Sequence, residues 1–380
     1  MRIETETPEM DAMTDAEPRP LLIYDGRIGD LYRLFLLNLL LNIVTFGWFR
    51  FWAITRYRVY LWSRMRFMDT RFEYTGVGYE LFVGFLMALG ILFGLAVGTG
   101  ILSVLFALIS PILVTIPIVG VYVLLFILFG AAHFSAQRYR LSRTQWRGIR
   151  GGMQGSAFAY GAWSLLYLIL VPLTLYQLVP LMTIRLTERR IDASRFGDLT
   201  FKFKGRARSV YLPYLLTLFG TMVLLGAVAA VVYNMESSHL GPIFRDEVSS
   251  TRADVMIRRA LPTIIVGVVV FSFGAGLIGC WYMAVMARHI FGNTTFAGLR
   301  FSSAVTARSL LWLIFGNGLI SLFTLGLGYP IVLHRSMQYL ARTVRVSGYL
   351  APEAIHQSTL PKPRTGEGML QALDSGGGIL

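Results

Sequence analysis

Seven stretches of this chain, near 31–54, 80–110, 112–134, 157–183, 209–233, 260–287 and 307–334, are apolar for roughly 20 residues or more. Runs of that length match the ~30 Å thickness of a hydrocarbon core. A water-soluble fold would have to hide all seven, so the reading is a polytopic, all-α membrane protein. The rest of the composition agrees. Only 15% of residues are charged, where soluble domains carry about 25%. Arg and Tyr flank the runs, as interfacial anchors do.

The net charge of +14 raises the question of nucleic acid. The basic residues sit in short loops between apolar runs, which is the positive-inside pattern of a membrane protein. No hydrophilic basic domain is present, so nucleic acid is not an expected partner. The expected partners are the lipid bilayer and its anionic phospholipid headgroups, with a further envelope protein as an alternative. Residues 1–21 are acidic and 351–380 are rich in Pro and Gly, so both read as disordered tails. The membrane domain is 22–350.

Internal repeats organise that domain. A shift of 129 superposes Thr45 on Thr174, Arg56 on Arg185, Arg66 on Arg195 and Asp69 on Asp198. A shift of 150 superposes Thr174 on Thr324, Pro180 on Pro330 and Arg185 on Arg335. The order is P1 (22–63), Q1 (64–134), P2 (135–192), Q2 (193–287) and P3 (288–350). Each P unit holds one apolar run with breakers near its middle: Thr45, Phe46 and Gly47 in P1, Pro172 and Pro180 in P2, and Gly326, Gly328 and Pro330 in P3. Two topologies stay open. Seven simple spans would put the basic loops 54–79 and 184–206 on opposite faces, against the charge rule. Re-entrant P segments would put both inside. Short polar stretches with strand-like alternation, such as Arg71 to Tyr74 and Thr200 to Phe203, read as small cytoplasmic strands.

The run Asn38-Leu39-Leu40-Leu41-Asn42-Ile43-Val44-Thr45-Phe46-Gly47-Trp48, then Phe51-Trp52-Ala53, Arg56-Tyr57-Arg58 and Arg71-Phe72-Glu73-Tyr74-Thr75-Gly76, resembles the YjgN family of bacterial inner-membrane proteins. So do Asn293-Thr294-Thr295-Phe296-Ala297-Gly298-Leu299-Arg300-Phe301, Asn317, and Thr324-Leu325-Gly326-Leu327-Gly328-Tyr329-Pro330. The resemblance covers about 22–348. It departs at Arg50 to Ile54, where the family usually has Pro-Trp-Ala-Lys, and at Ile331, where it usually has Trp. The resemblance implies a multi-pass protein of the bacterial inner membrane and carries over no catalytic residue.

Chemistry in the residues is sparse. Cys280 is the single cysteine and the five histidines are scattered, so no metal centre or cofactor is expected. Glu80, at a run edge, is the one acid in an apolar run. No metallopeptidase, serine-elbow or phosphate-loop motif appears, and the expectation is a protein that is not an enzyme. Two functions stay open. One is passage or binding of a small molecule or lipid, along a path marked by Asn38, Thr45, Gly47, Thr174, Asn317, Thr324 and Gly326. The other is a non-catalytic scaffold or regulator of another envelope protein. Arg56, Arg185 and Arg335 read as anionic-lipid anchors or a vestibule. In the transport reading Asn38, Asn317 and Thr324 converge on a wet cavity; a dry centre favours the scaffold.

Overall fold

The computed structural model describes residues 21–244, 250–348, 350 and 355–357. The expected tails 1–21 and 351–380 lie almost wholly outside the described residues. Among the described residues ten short strands alternate with helical excursions. The strands are β1 (Leu22–Tyr24), β2 (Met65–Phe67), β3 (Thr70–Tyr74), β4 (Thr144–Trp146), β5 (Ile149–Met153), β6 (Ser194–Phe196), β7 (Leu199–Phe203), β8 (Thr294–Phe296), β9 (Leu299–Ser303) and β10 (Val344–Ser347). All ten join in chain order into one antiparallel, barrel-like sheet.

Four of its pairings are two-residue hairpins, closed at Met68-Asp69, Arg147-Gly148, Gly197-Asp198 and Ala297-Gly298. Three of these turns place both central residues at positive φ, and Gly197 leads the fourth at φ +61°. Such primed turns match the right-handed twist of the strands they connect. The strand before each turn ends in an aromatic residue: Phe67, Trp146, Phe196 and Phe296. These rings meet in sequence across the hairpins, with centroids 5.5, 6.2 and 6.5 Å apart. They line the sheet interior with Leu299, Val344 and Val346. Aromatic cross-strand neighbours stabilise a sheet that has only three- to five-residue strands.

Helices leave the opposite end of the strands. Between β3 and β4 run α3 (Gly78–Ala107) and, after a 3-10 turn at Pro111–Val114, α4 (Thr115–Ser142). The remaining helices, numbered in chain order, are α1 (Ile28–Val44) and α2 (Arg50–Ser63), α5 (Ala157–Leu173) and α6 (Val179–Ala193), α7 (Arg208–Phe244) and α8 (Ser250–Gly292), and α9 (Ala307–Phe323) and α10 (Tyr329–Thr343). Among the described residues four stretches are long and apolar enough to cross a membrane: Gly78–Ala107, Pro111–Ser142, Arg208–Ser237 and Asp254–Gly292. Among the described residues three further pairs of shorter helices, α1 with α2, α5 with α6 and α9 with α10, are each broken in the middle.

The chain forms two compact units. One comprises 1–205, 290–304 and 319–380 and holds the whole sheet; the other comprises 206–289 and 305–318. In the first, Leu31, Tyr57, Leu61, Leu333 and Met337 pack α1, α2 and α10 together. Helices α4 and α5 approach closely at Gly130 and Gly161: a Cβ on Gly161 would lie 2.1 Å from the Ile127 carbonyl oxygen. Small residues permit such backbone contact between membrane helices. Glu80, in the first turn of α3, pairs with Arg143 and accepts the Tyr139 hydroxyl at 2.7 Å. In the second unit Tyr214 and Tyr282 meet at 5.4 Å. There Glu236 accepts the Thr263 hydroxyl at 2.5 Å, beside a kink in α7 at Glu236 itself.

Candidate functional site: the broken helix pairs and the groove between α1 and α2

The three breaks share one backbone pattern. In the first, the N–H groups of Thr45, Phe46, Gly47 and Trp48 donate to the carbonyls of Leu41, Ile43, Asn42 and Thr45. The N–H groups of Thr174, Leu175, Tyr176 and Gln177 repeat this toward Leu170, Pro172, Val171 and Thr174. Those of Thr324, Leu325, Gly326 and Leu327 repeat it toward Ile320, Leu322, Ser321 and Thr324. Two consecutive residues in each break take positive φ: Phe46 and Gly47, Leu175 and Tyr176, Leu325 and Gly326. Glycine relieves the second of these in two breaks, and Tyr176 takes it without that relief. Each break thus keeps four backbone N–H groups bonded to nearby carbonyls as the helix ends.

Each threonine serves its own break. The Thr45 hydroxyl donates to the Leu41 carbonyl at 2.7 Å and accepts the Phe49 N–H at 3.0 Å. Thr324 donates to Ile320 and accepts the Gly328 N–H at 2.7 Å. Thr174 donates to Leu170 and Val171. These side chains, and Gly47 and Gly326 beside them, make the reversal. At its apex Phe46, Leu175 and Leu325 occupy matching places and are 95%, 79% and 90% exposed.

Below the first break lies a groove of about 520 Å³ between α1 and α2, whose lining includes Asp30, Arg33, Leu37, Thr55, Arg56 and Tyr60. Asn38 is buried behind it and accepts a hydrogen bond from Arg56 Nη1 at 3.4 Å. The Arg56 guanidinium also lies 4.9 Å from the Phe49 ring. At the sheet end Asp30 pairs with Arg64 at 3.5 Å. Arg33 and Arg56 form no ion pair with a carboxylate among the described residues, so the groove is cationic. On the far side of α2, Arg58 is buried and donates to the Tyr74 hydroxyl at 3.2 Å. Tyr24 of β1 lies 5.4 Å from the His334 ring, and burial pushes its hydroxyl pKa up.

The remaining candidates are not among the residues that line this groove. Asn317 is on α9, in the second unit. Arg185 is exposed and pairs with Glu188 at 2.9 Å. Arg335 lies on α10 and has polar or ring contacts of its own. Sequence reading missed Asp30 and Arg33, which flank the groove, and Arg58. The signal for the first two is the α1 spacing, which puts Asp30, Arg33 and Leu37 on one helical face. Among the described residues no group of three His, Cys, Asp or Glu could hold a metal ion.

Four long apolar helices and a polar-walled sheet define a polytopic helical membrane protein. The chain belongs to the bacterial protein family of unknown function DUF898, whose profile matches residues 20–372. It is similar to inner membrane protein YjgN of Salmonella typhimurium (strain LT2), at 25% identity over 365 residues, covering 87% of this chain and 89% of that one. The protein is accordingly placed in the bacterial inner membrane. No solved structure matches it.

Proposed function

We propose that this is a non-enzymatic inner-membrane protein that binds lipid of the cytoplasmic leaflet at its broken helix pairs and offers them as a path for a lipid or small molecule. The observation that carries this reading is the apolar apex of each pair. Every pair leaves the sheet and returns to it, so both its ends share one membrane face. At 1.5 Å per residue, the 30 residues of α3 and 28 of α4 extend about 45 and 42 Å. That matches a bilayer with its headgroups, ~40–45 Å. The 17 residues of α1 and 14 of α2 extend only about 25 and 21 Å, half that depth. The exposed Phe46, Leu175 and Leu325 would then stop near the midplane, where apolar side chains need no cover. Three such pairs, with matching breaks, support the P–Q–P–Q–P repeat and a re-entrant topology. The sheet, with its basic outer wall, belongs on the cytoplasmic side by the charge rule.

Under this reading the groove holds a phospholipid headgroup. Arg33 and Arg56 face its phosphate, and the acyl chains lie along Leu37 and the exposed flank of α1. The test has two parts. In a Cys280→Ala background, single cysteines at Ser63, Ser142, Ser194 and Ser238 are challenged with an impermeant thiol reagent in spheroplasts. Labelling at 238 alone fits re-entrant pairs; labelling at 194 without 63 refutes them. Purified protein in phosphatidylethanolamine–phosphatidylglycerol vesicles is then assayed for transbilayer movement of a fluorescent lipid. Movement that is lost in the Arg33→Gln/Arg56→Gln variant supports passage.

A second reading, a scaffold for another envelope protein, draws support from the threonines. Their hydroxyls are committed to their own helices, and Asn38 is packed rather than facing a wet cavity. Vesicles that move no lipid, together with a stoichiometric membrane partner recovered by cross-linking in cells, would favour it.

A further inference from the structure

The outer wall of the sheet carries charge that neither the groove nor the broken pairs use. Side chains alternate across a strand, so the partners of the interior aromatics point outward. On β6 to β10 the outward positions are Arg195, Thr200, Lys202, Thr295, Arg300, Ser302, Arg345 and Ser347, with no acid and no apolar residue among them. The register places Lys202 opposite Thr295, Thr295 opposite Arg300, and Arg345 opposite Ser302. Four cations therefore share one contiguous face. The β1 to β3 side differs. There Asp25 pairs with Arg71 at 2.7 Å and with Arg66 at 3.5 Å, and Glu73 adds a second acid.

Position decides what this face can meet. Arg195, Lys202 and Arg345 each stand one residue in from the helix-bearing end of their strand, and Arg300 three residues in. At about 3.3 Å per residue that is roughly 3–10 Å below the point where the helices begin. Helix α6 runs into β6 and α10 into β10 without an intervening residue. Long basic side chains at such a boundary extend toward headgroups while their stems lie along the wall. A face that polar, that basic and that close to the helix-bearing end fits a membrane surface rather than a groove-bound molecule.

We propose that Arg195, Lys202, Arg300 and Arg345 form a binding face for anionic phospholipid headgroups of the cytoplasmic leaflet, distinct from the groove between α1 and α2. The face is one-sided: the neutralised β1 to β3 wall does not take part. The proposal rests on the half-depth placement of the broken pairs, which the thiol labelling tests separately, and it does not depend on the groove binding lipid.

The test measures lipid retained by the full-length protein purified in detergent and equilibrated with mixed micelles of phosphatidylglycerol and phosphatidylethanolamine. Each surface cation contributes about fivefold in affinity for an anionic surface. The Arg195→Gln/Lys202→Gln/Arg300→Gln/Arg345→Gln variant is expected to lose at least about tenfold in phosphatidylglycerol preference, with phosphatidylethanolamine unchanged. The Arg66→Gln/Arg71→Gln variant should keep that preference. Replacing the three arginines of the face by lysine should restore it, which separates charge from folding. Unchanged retention in a quadruple variant that melts like the parent overturns the proposal. So does an equal loss in Arg66→Gln/Arg71→Gln, which would mean net charge alone. An acidic protein co-purifying with the parent and lost from the quadruple variant overturns it in favour of a protein partner.

Discussion

Arg56 reaches from α2 across the first helix pair to Asn38 on α1, Nη1 to Oδ1 3.4 Å. Asn38 is only 2% exposed, so its carbonyl oxygen has no water to fall back on, and the bond fixes where Arg56 stands at the groove. Asn38→Ala is expected to destabilise the protein by roughly 1–3 kcal/mol, the cost of a lost buried polar contact and its space. It should also weaken lipid retention at the groove. Unfolding in a graded denaturing-detergent mixture and lipid extraction check the two effects; a stable variant with normal retention would show that Asn38 is incidental.

The break geometry makes a position-specific prediction. Gly326 has φ +86°, and a Cβ added there would meet only open space, so Gly326→Ala causes no clash and its cost is backbone strain alone. A loss of about 1 kcal/mol is expected. Thr324→Val removes the hydroxyl that the Gly328 N–H donates to, and should cost a further 1–2 kcal/mol or so. If both variants melt with the parent, the reversal does not depend on these groups.

Trp146 joins the aromatic row between Phe67 and Phe196 and donates its indole N–H to the Phe67 carbonyl at 3.0 Å. Trp146→Ala should cost about 3–5 kcal/mol and abolish the near-ultraviolet circular dichroism of the sheet while leaving the far-ultraviolet helix signal. A protein with both signals intact would mean that the row is not structural.

Residues 355–357 lie against the turn end of the sheet. The His356 N–H donates to Asp198 Oδ1 at 3.0 Å, the Asp198 N–H returns to the His356 carbonyl at 3.1 Å, and Gln357 Nε2 donates to the Gly148 carbonyl at 3.1 Å. A Cβ on Gly197 would lie 2.3 Å from the His356 carbonyl oxygen. Gly197→Ala is therefore expected to lift this segment from the turns. Faster tryptic or chymotryptic cutting beyond Leu350, with the membrane helices intact, is the expected readout. An unchanged digestion pattern counts against the contact.

Much of the architecture is legible in the residues because the bilayer imposes one-dimensional rules. A run long enough to cross, such as 80–110, announces itself by length and polarity. The breakers Thr45, Gly47, Thr324 and Gly326 are also readable, since reversal of a helix needs capping hydroxyls and residues that tolerate positive φ. Leu175 and Tyr176 show the limit: nothing in their chemistry signals positive φ, and the matching hydrogen bonds around them hold it.

The sheet was barely visible by comparison. Alternation at Arg71 to Tyr74 and Thr200 to Phe203 suggests strands, but a three-residue strand such as Ser194 to Phe196 carries too few side chains to specify its partners. Paired strands can stand about ninety residues apart in the chain, as Phe203 and Thr294 do. Membrane residence, the placement of basic charge and the positions of the helix breaks can all be read along the chain, because each follows from local polarity and backbone preference. The closure of ten strands into one sheet, and the return of each broken pair to it, emerge only in three dimensions. So do the groove shared by Asp30, Arg33 and Arg56 and the wall shared by Arg195, Lys202, Arg300 and Arg345. Those juxtapositions depend on non-local pairing and packing, which no local pattern encodes.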